Sequence, residues 1–158
     1  MNSRRHAIPS INPDFAAYPL RMARSRIQGY GVFAAAAIPP GRKVIEYTGE
    51  RLGLRKSNAR LKRLLGPGRP KRIYMFRLNR YWRIDGAVGG SGAERVNHSC
   101  DPNLTVRRIR GHIFFFSLRR IRRGEELSLD YRLSPKTFRI PCRCGSPNCR
   151  RFLNVPQR

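Results

Sequence analysis

Residues 95–104 read "RVNHSCDPNL", and Asn97 to Asn103 form seven consecutive polar or turn-forming positions between the aliphatic Val96 and Leu104. Burying such a run costs free energy unless each polar group finds a partner, so a metal or a function is expected to hold it. Cys100 stands at its centre. The other three of the four cysteines lie far downstream in "CRCGSPNCRRFL", residues 142–153, as Cys142, Cys144 and Cys149. A structural zinc ion takes four ligands in a tetrahedron. If the tail supplies three, Cys100 is the one remaining candidate for the fourth, and the tail must fold back onto residues 97–103. Four cysteines also make two disulfides, the usual reading in a small secreted chain. The N-terminal "MNSRRHAIPSINPDF" has no apolar signal-peptide core, which favours a metal over disulfides.

Working outward, 158 residues suit one domain with a core of ordinary size. The balance of 40 % apolar and 27 % charged residues is that of a globular chain. No apolar run approaches the ~20 residues that cross a bilayer, so a soluble protein is expected. The charge is lopsided, with 34 Lys plus Arg against 9 Asp plus Glu and a net +25. That excess suggests DNA or RNA association through an arginine-rich surface. Yet 29 of the 34 cations are arginine, a skew that a GC-rich genome would also produce. Eight of the nine acidic residues fall between Glu46 and Asp130, either placed for a purpose or paired with neighbouring arginines.

Along the chain, residues 1–19 read as a loosely ordered extension. Pro39-Pro40-Gly41 marks a turn before a strand from Lys43 to about Thr48. "RLGLRKSNARLKRLL" is the one helical candidate, with Leu61, Leu64 and Leu65 at helical spacing and Gly66-Pro67-Gly68 as its stop. "RIYMFRLN" and "YWRID" read as strands, and "LTVRRI" and "HIFFFSL" as a hairpin about Arg110-Gly111. "IRRGEELSLDY" gives a turn at Gly124 and a final strand. Many short strands and few helices make a mostly β fold.

Four segments carry chemistry: "GYG" (29–31), "EYTGE" (46–50), "NHSCDPN" (97–103) and "EELSLDY" (125–131). In this order, and followed by C-x-C-x4-C, they resemble the SET-domain protein lysine methyltransferases that carry a cysteine-rich post-SET tail. The resemblance spans roughly residues 20–155. It implies a SET-domain fold of several small β-sheets with a pseudoknot, plus a zinc-binding tail. The expected boundaries are an extension over 1–19, a SET domain over 20–138 with a short basic insert at about 51–72, and the tail over 139–158. It also implies one structural zinc shared by Cys100, Cys142, Cys144 and Cys149.

The same resemblance implies the activity: S-adenosylmethionine-dependent transfer of methyl groups to the side-chain amine of a lysine in a protein substrate. A lysine has a pKa of about 10.4, so exposing its lone pair at pH 7 costs about 4–5 kcal/mol. A narrow apolar channel lowers that pKa by desolvation, aided by a positive sulfur nearby. Such a site needs aromatic walls and a few polar tips rather than a strong base. By resemblance, Tyr131 is the catalytic tyrosine and Tyr47 a tyrosine of the lysine channel. Gly29, Tyr30, Gly31, Asn97 and His98 are expected at the cofactor, with Tyr74 lining its pocket and Phe152 covering the adenine. Without the motifs, both Tyr47 and Tyr131 would pass for core tyrosines with a satisfied hydroxyl, and His98 is otherwise a candidate metal ligand. Val106 and Leu129, which cannot hydrogen-bond a water, are expected to face the channel and to permit two or three methyl additions. Asp130 and Glu126 are expected to brace loops.

The chain departs from the family pattern at Glu94 and Arg95, where a basic residue and an aromatic are usual, and at Gly90-Ser91. A basic nucleic-acid-associated protein is the preferred substrate class, because a +25 enzyme repels a free basic tail. The alternative is a catalytically inactive SET fold serving as a nucleic-acid- or peptide-binding module. The arginine skew favours a bacterial cytoplasm, with the nucleus as the other intracellular location.

Overall fold

A computed structural model describes residues 9–66, 72–136 and 139–156. Among the described residues ten short strands form four small sheets, accompanied by one α-helix. Strands β1 (Leu20–Arg24) and β2 (Tyr30–Ala34) pair antiparallel around the bend that holds "GYG". Strand β3 (Lys43–Tyr47) is followed by β4 (Glu50–Gly53) and helix α1 (Leu54–Leu64). Strands β5 (Met75–Arg77) and β6 (Trp82–Asp85) pair antiparallel, with β6 between β4 and β5. Strand β7 is only Asn97–His98. The expected hairpin is β8 (Leu104–Ile109) and β9 (His112–Ser117), turning at Arg110 and Gly111, both at positive φ. Strand β10 is Ser128–Leu129.

The core runs from Val32 to Leu129, and its largest fully buried side chain is Phe115 on β9, the middle strand of the β3-β9-β8 sheet. On β9 burial alternates, with Ile113, Phe115 and Ser117 buried, and the aromatic and β-branched content of these strands is why the mostly β expectation holds. Three local expectations change. Residues 9–19, expected to be loose, dock on the core: Asn12 N–H bonds Ser91 O (2.9 Å), Ala17 N–H bonds Val44 O (2.9 Å), and Ile11 packs against Gly92. Gly92 is at φ +99°, and a Cβ there would stand 2.6 Å from Ile11 Cδ1.

The helix forms where expected but does not bury its leucines as a stripe. Leu65 is 44 % exposed, and the buried helical residue is Ser57, which accepts a 2.6 Å bond from Arg83 Nη1. Lys62 and Arg63 in the last turn suit the negative end of the helix dipole. Pro67 and Gly68 of the expected stop lie outside the described residues. The final strand is shorter than the sequence suggests, because residues 124–129 change partners midway. Gly124, Glu125 and Leu127 bond β2, whereas Ser128 and Leu129 run parallel to Asn97 and His98. That switch carries "EELSLDY" alongside "NHSC".

Candidate active site

Four residues of the polar run, Asn97, His98, Ser99 and Asn103, are buried, and the structure gives them partners. Asn97 Nδ2 donates to Glu126 Oε1 (2.8 Å) and to the carbonyls of Gln28 (3.2 Å) and Tyr30 (3.4 Å). Glu126 also accepts the Ser25 hydroxyl at 2.9 Å. Gly29, Tyr30 and Gly31 are thus held on a carboxamide–carboxylate pair. Gly31 has no room for a side chain: a Cβ would lie 2.2 Å from Glu126 Oε1 and 3.1 Å from Asn97 Nδ2. Gly29, at φ +53°, lies under the Arg72 guanidinium, 2.7 Å from where its Cβ would be. The Arg24 guanidinium stands 4.5 Å from the Tyr30 ring centre. We predict that Gly31→Ala displaces Glu126 and releases Asn97, costing about 1–3 kcal/mol of stability and weakening cofactor affinity. Thermal melting alongside calorimetric titration checks both; an unchanged affinity would show that this loop does not shape the site.

His98 sits between the two halves of the site. Burial pushes its imidazole down to about 4, so it is neutral at pH 7. Its Nδ1 accepts the Tyr131 N–H at 3.1 Å, which fixes the proton on Nε2, 3.4 Å from Cys100 Sγ. The ring meets the Tyr131 ring edge-on at 5.3 Å. His98 is therefore not a fourth ligand competing with the cysteines. With both nitrogens engaged, any contact it makes with a cofactor falls to its main chain.

Tyr131 donates its hydroxyl proton to Val96 O at 2.8 Å. Tyr47 donates to the carbonyl of Tyr74 and packs in an aromatic cluster with Phe76 and Phe115. Burial raises the pKa of both hydroxyls, helped at Tyr47 by the Glu94 carboxylate and at Tyr131 by Tyr74. Both stay neutral throughout the physiological range. The departures from the family pattern are built into this wall. Glu94 accepts the Gly92 N–H at 2.9 Å. The Arg95 guanidinium lies 4.8 Å from the Tyr74 ring centre, and its Nε is a buried polar atom without a hydrogen-bond partner. Val106 is half-buried and Leu129 buried against His98.

The four cysteines converge. Their sulfurs all lie within 4.8 Å of one another. Cys100 and Cys142 are 3.8 Å apart, far beyond the ~2.05 Å of a disulfide, and all four thiols are free. Four sulfurs about 2.3 Å from a central ion would be spaced about 3.8 Å apart. The donor set fits a thiolate-bound metal, and the disulfide alternative falls. Burial pushes Cys142 up to about 12. At Cys144 burial acts the same way but is outweighed by backbone N–H groups of Cys100 and Ser146 and by its neighbouring thiols, which bring it down to about 6. Backbone N–H groups of Arg150 and Arg151 point at Cys100 and Cys149 Sγ, each at 3.4 Å.

A second tie was not legible in advance. Arg150 makes a two-pronged bond to Asp130, at 2.9 and 2.6 Å, and reaches the carbonyls of Leu153 and Asn154. Asp130 precedes the catalytic candidate Tyr131, so the tail grips the site directly. Phe152 is half-buried in this tail with the Arg139 guanidinium 4.1 Å above its ring. The remaining acidic residues mostly follow the ion-pairing reading: Glu50 and Asp85 share Arg60, and Glu125 holds Arg119. Two surface hollows, beside Ile11–Leu20 and Arg119–Glu125, are lined by none of the expected catalytic, cofactor or metal residues.

Comparison with known proteins agrees with this geometry. The family model of the SET domain matches residues 29–132. The histone-lysine N-methyltransferase trr of Drosophila melanogaster is 40 % identical over 139 residues, which are 84 % of this chain and 6 % of that protein. A Saccharomyces cerevisiae histone-lysine N-methyltransferase, H3 lysine-4 specific, is 38 % identical over 143 residues, 86 % of this chain and 13 % of its own length. The chain thus spans a small part of these relatives. The methyltransferase domain of human SETMAR superposes with a TM-score of 0.75 at 25 % identity, covering 90 % of this chain and 60 % of that one. These relatives are animal and fungal, so the expectation of a bacterial cytoplasm gains no support from them; no helix among the described residues is long and apolar enough to cross a membrane. With its motifs, its sheets and its family match in agreement, the chain belongs to the SET-domain family.

Proposed function

We propose that this chain is a protein-lysine N-methyltransferase that uses S-adenosylmethionine and carries one structural zinc on Cys100, Cys142, Cys144 and Cys149. The observation that carries the reading is the placement of Tyr131 against the buried His98, with its hydroxyl on Val96 O just before "NHSC". S-adenosylmethionine, when bound, supplies a methyl group on a positive sulfur. Gly29, Tyr30, Gly31, Asn97 and Phe152 are the residues that would hold it. Tyr131 has spent its one proton on Val96 O, so toward an incoming amine its oxygen can only accept. That orients the amine through an N–H and leaves the nitrogen lone pair free to attack.

Neither tyrosine serves as a base at neutral pH, since burial keeps both protonated. The lysine must shed its proton to solvent. The raised tyrosine pKa values keep the neutral, accepting form present as pH climbs, so no loss sets in before the lysine has titrated. We therefore predict that kcat/KM rises about tenfold per pH unit from pH 7 to 9, without a descending limb from tyrosine ionisation. A plateau below pH 8 would instead point to an enzyme base.

The substrate is proposed as a lysine in a basic, nucleic-acid-associated protein. The names of the relatives support a histone lysine, and the +25 charge supports a substrate already neutralised by nucleic acid. The decisive experiment is transfer of labelled methyl into histones and fractionated lysate, with intact-mass readout and Tyr131→Phe as control. Bands that vanish in the variant establish the activity. Aliphatic Val106 and Leu129 predict products beyond monomethyl; monomethyl alone at exhaustion would refute that part. No transfer by zinc- and cofactor-loaded protein would favour the inactive binding module.

A further inference from the structure

Between Arg51 and Ile84 the chain has twelve lysines or arginines and no aspartate or glutamate. Its flanking carboxylates, Glu50 and Asp85, are both taken by Arg60 at 2.7 Å, and among the described residues no other cation of this stretch has an acidic partner. The stretch covers most of the β4-β6-β5 sheet together with helix α1, whose Arg55, Lys56, Lys62 and Arg63 are exposed. At the turn between β5 and β6, Tyr81 is 54 % and Trp82 42 % exposed. They do not hang loosely: Asn79 Oδ1 accepts both their backbone N–H groups, at 2.8 and 2.9 Å. The Arg80 guanidinium lies 4.6 Å from the Tyr81 ring centre. Trp82 pairs with Gly53 across the sheet, beside the exposed Leu54 at the start of the helix.

We infer that the β5–β6 turn, with its two exposed rings and Arg80 set in this uncompensated basic stretch, binds single-stranded nucleic acid. A polyanion answers the uncompensated charge, and base stacking answers the two rings presented to solvent at a braced turn. An acidic polypeptide would meet the charge but offers no array of flat bases for the rings to stack on. A duplex has its bases already stacked and would leave the rings exposed. The other arginine cluster, Arg119 to Arg123, holds Glu125 at 2.6 Å and presents no exposed aromatic. Binding on this face needs neither cofactor nor methyl transfer, so its failure leaves the proposed activity standing.

Trp82 is the only tryptophan, which makes its emission a local reporter. The experiment titrates the full zinc-loaded chain with a thymidylate oligonucleotide about 15 nucleotides long, near the upper end of known single-domain site sizes. Duplex DNA and polyglutamate are parallel titrants. The expected result is quenching of Trp82 by the oligonucleotide, with affinity falling as salt rises. Tyr81→Ala should weaken binding by about five- to a hundredfold. Lys56→Glu with Lys62→Glu, both exposed, should reduce both affinity and salt dependence. Quenching by polyglutamate in preference to the oligonucleotide would overturn the inference in favour of an acidic protein. Preference for the duplex, absence of quenching, or binding lost only when Arg119, Arg120, Arg122 and Arg123 become glutamine would also overturn it.

Discussion

If the four thiolates carry the proposed zinc, stripping it should release residues 139–156 while leaving the central sheet folded. Among the described residues the buried apolar core contains nothing beyond Leu129, so the described part of the tail contributes none of it. What fastens the tail is the cysteine cluster, the Arg150–Asp130 pair and a few backbone bonds such as Val155 N–H to Leu133 O. Without the ion, four thiols crowd one another and the tail keeps that pair, those backbone bonds and side-chain ties such as Asn154 Nδ2 to Ser134 O (2.8 Å). Binding free energy at structural zinc sites reaches about 10 kcal/mol or more, well above what one partly exposed ion pair supplies. Hydrogen exchange after chelation should show protection lost over 139–156 and at Tyr131, whose N–H rests on His98, with strands β3, β8 and β9 still protected. Cofactor affinity should fall at least tenfold, since Phe152 leaves with the tail. Uniform loss of protection throughout the chain would mean that the metal holds the whole fold instead.

Tyr131→Phe should leave the fold nearly untouched and remove most of the activity. The change deletes one hydrogen bond, to Val96 O, worth about 0.5–1.5 kcal/mol. The ring stays against His98. What disappears is the oxygen proposed to align the amine, and misalignment on the scale of an ångström costs roughly 10²-fold in rate. The expected signature is kcat reduced about a hundredfold or more with cofactor affinity unchanged. Tyr47→Phe is the informative comparison, because Tyr47 likewise gives its hydroxyl proton to a backbone carbonyl, that of Tyr74, but packs among Phe76 and Phe115 rather than against His98. If both variants lose activity equally, the assignment of distinct roles is wrong.

Much of this site could be read from residue order, because its parts are short polar segments that few folds would require in that succession. The four cysteines do meet, and Tyr131 does lie against His98. Arg150 could not be found that way. In a chain with 29 arginines, nothing local separates the one that clamps Asp130 from the rest. The docking of residues 9–19 was equally hidden, since Ile11 is anchored by the empty space at Gly92, about eighty residues away. Helix α1 was located by its leucines, yet Ser57 is what it buries, because the neighbouring strand offers Arg83 rather than an apolar surface. In each case the deciding partner is distant in sequence, and periodicity carries no information about it.

The separation of Cys100 from its partners also sets a timetable. Cys142 is synthesised 42 residues after Cys100, which at about 5–20 residues per second is a wait of roughly 2–8 s. For that interval the growing chain carries a lone thiol beside a half-built polar segment, with no second sulfur to share an ion. Residues 128 and 129 must already lie against Asn97 and His98 before the tail has anything to close on. Closure of the tail, and with it the Arg150 clamp on Asp130, therefore comes last, and if the proposed zinc occupies the cluster, a cell short of zinc would accumulate chains whose central sheet is complete and whose tail is open.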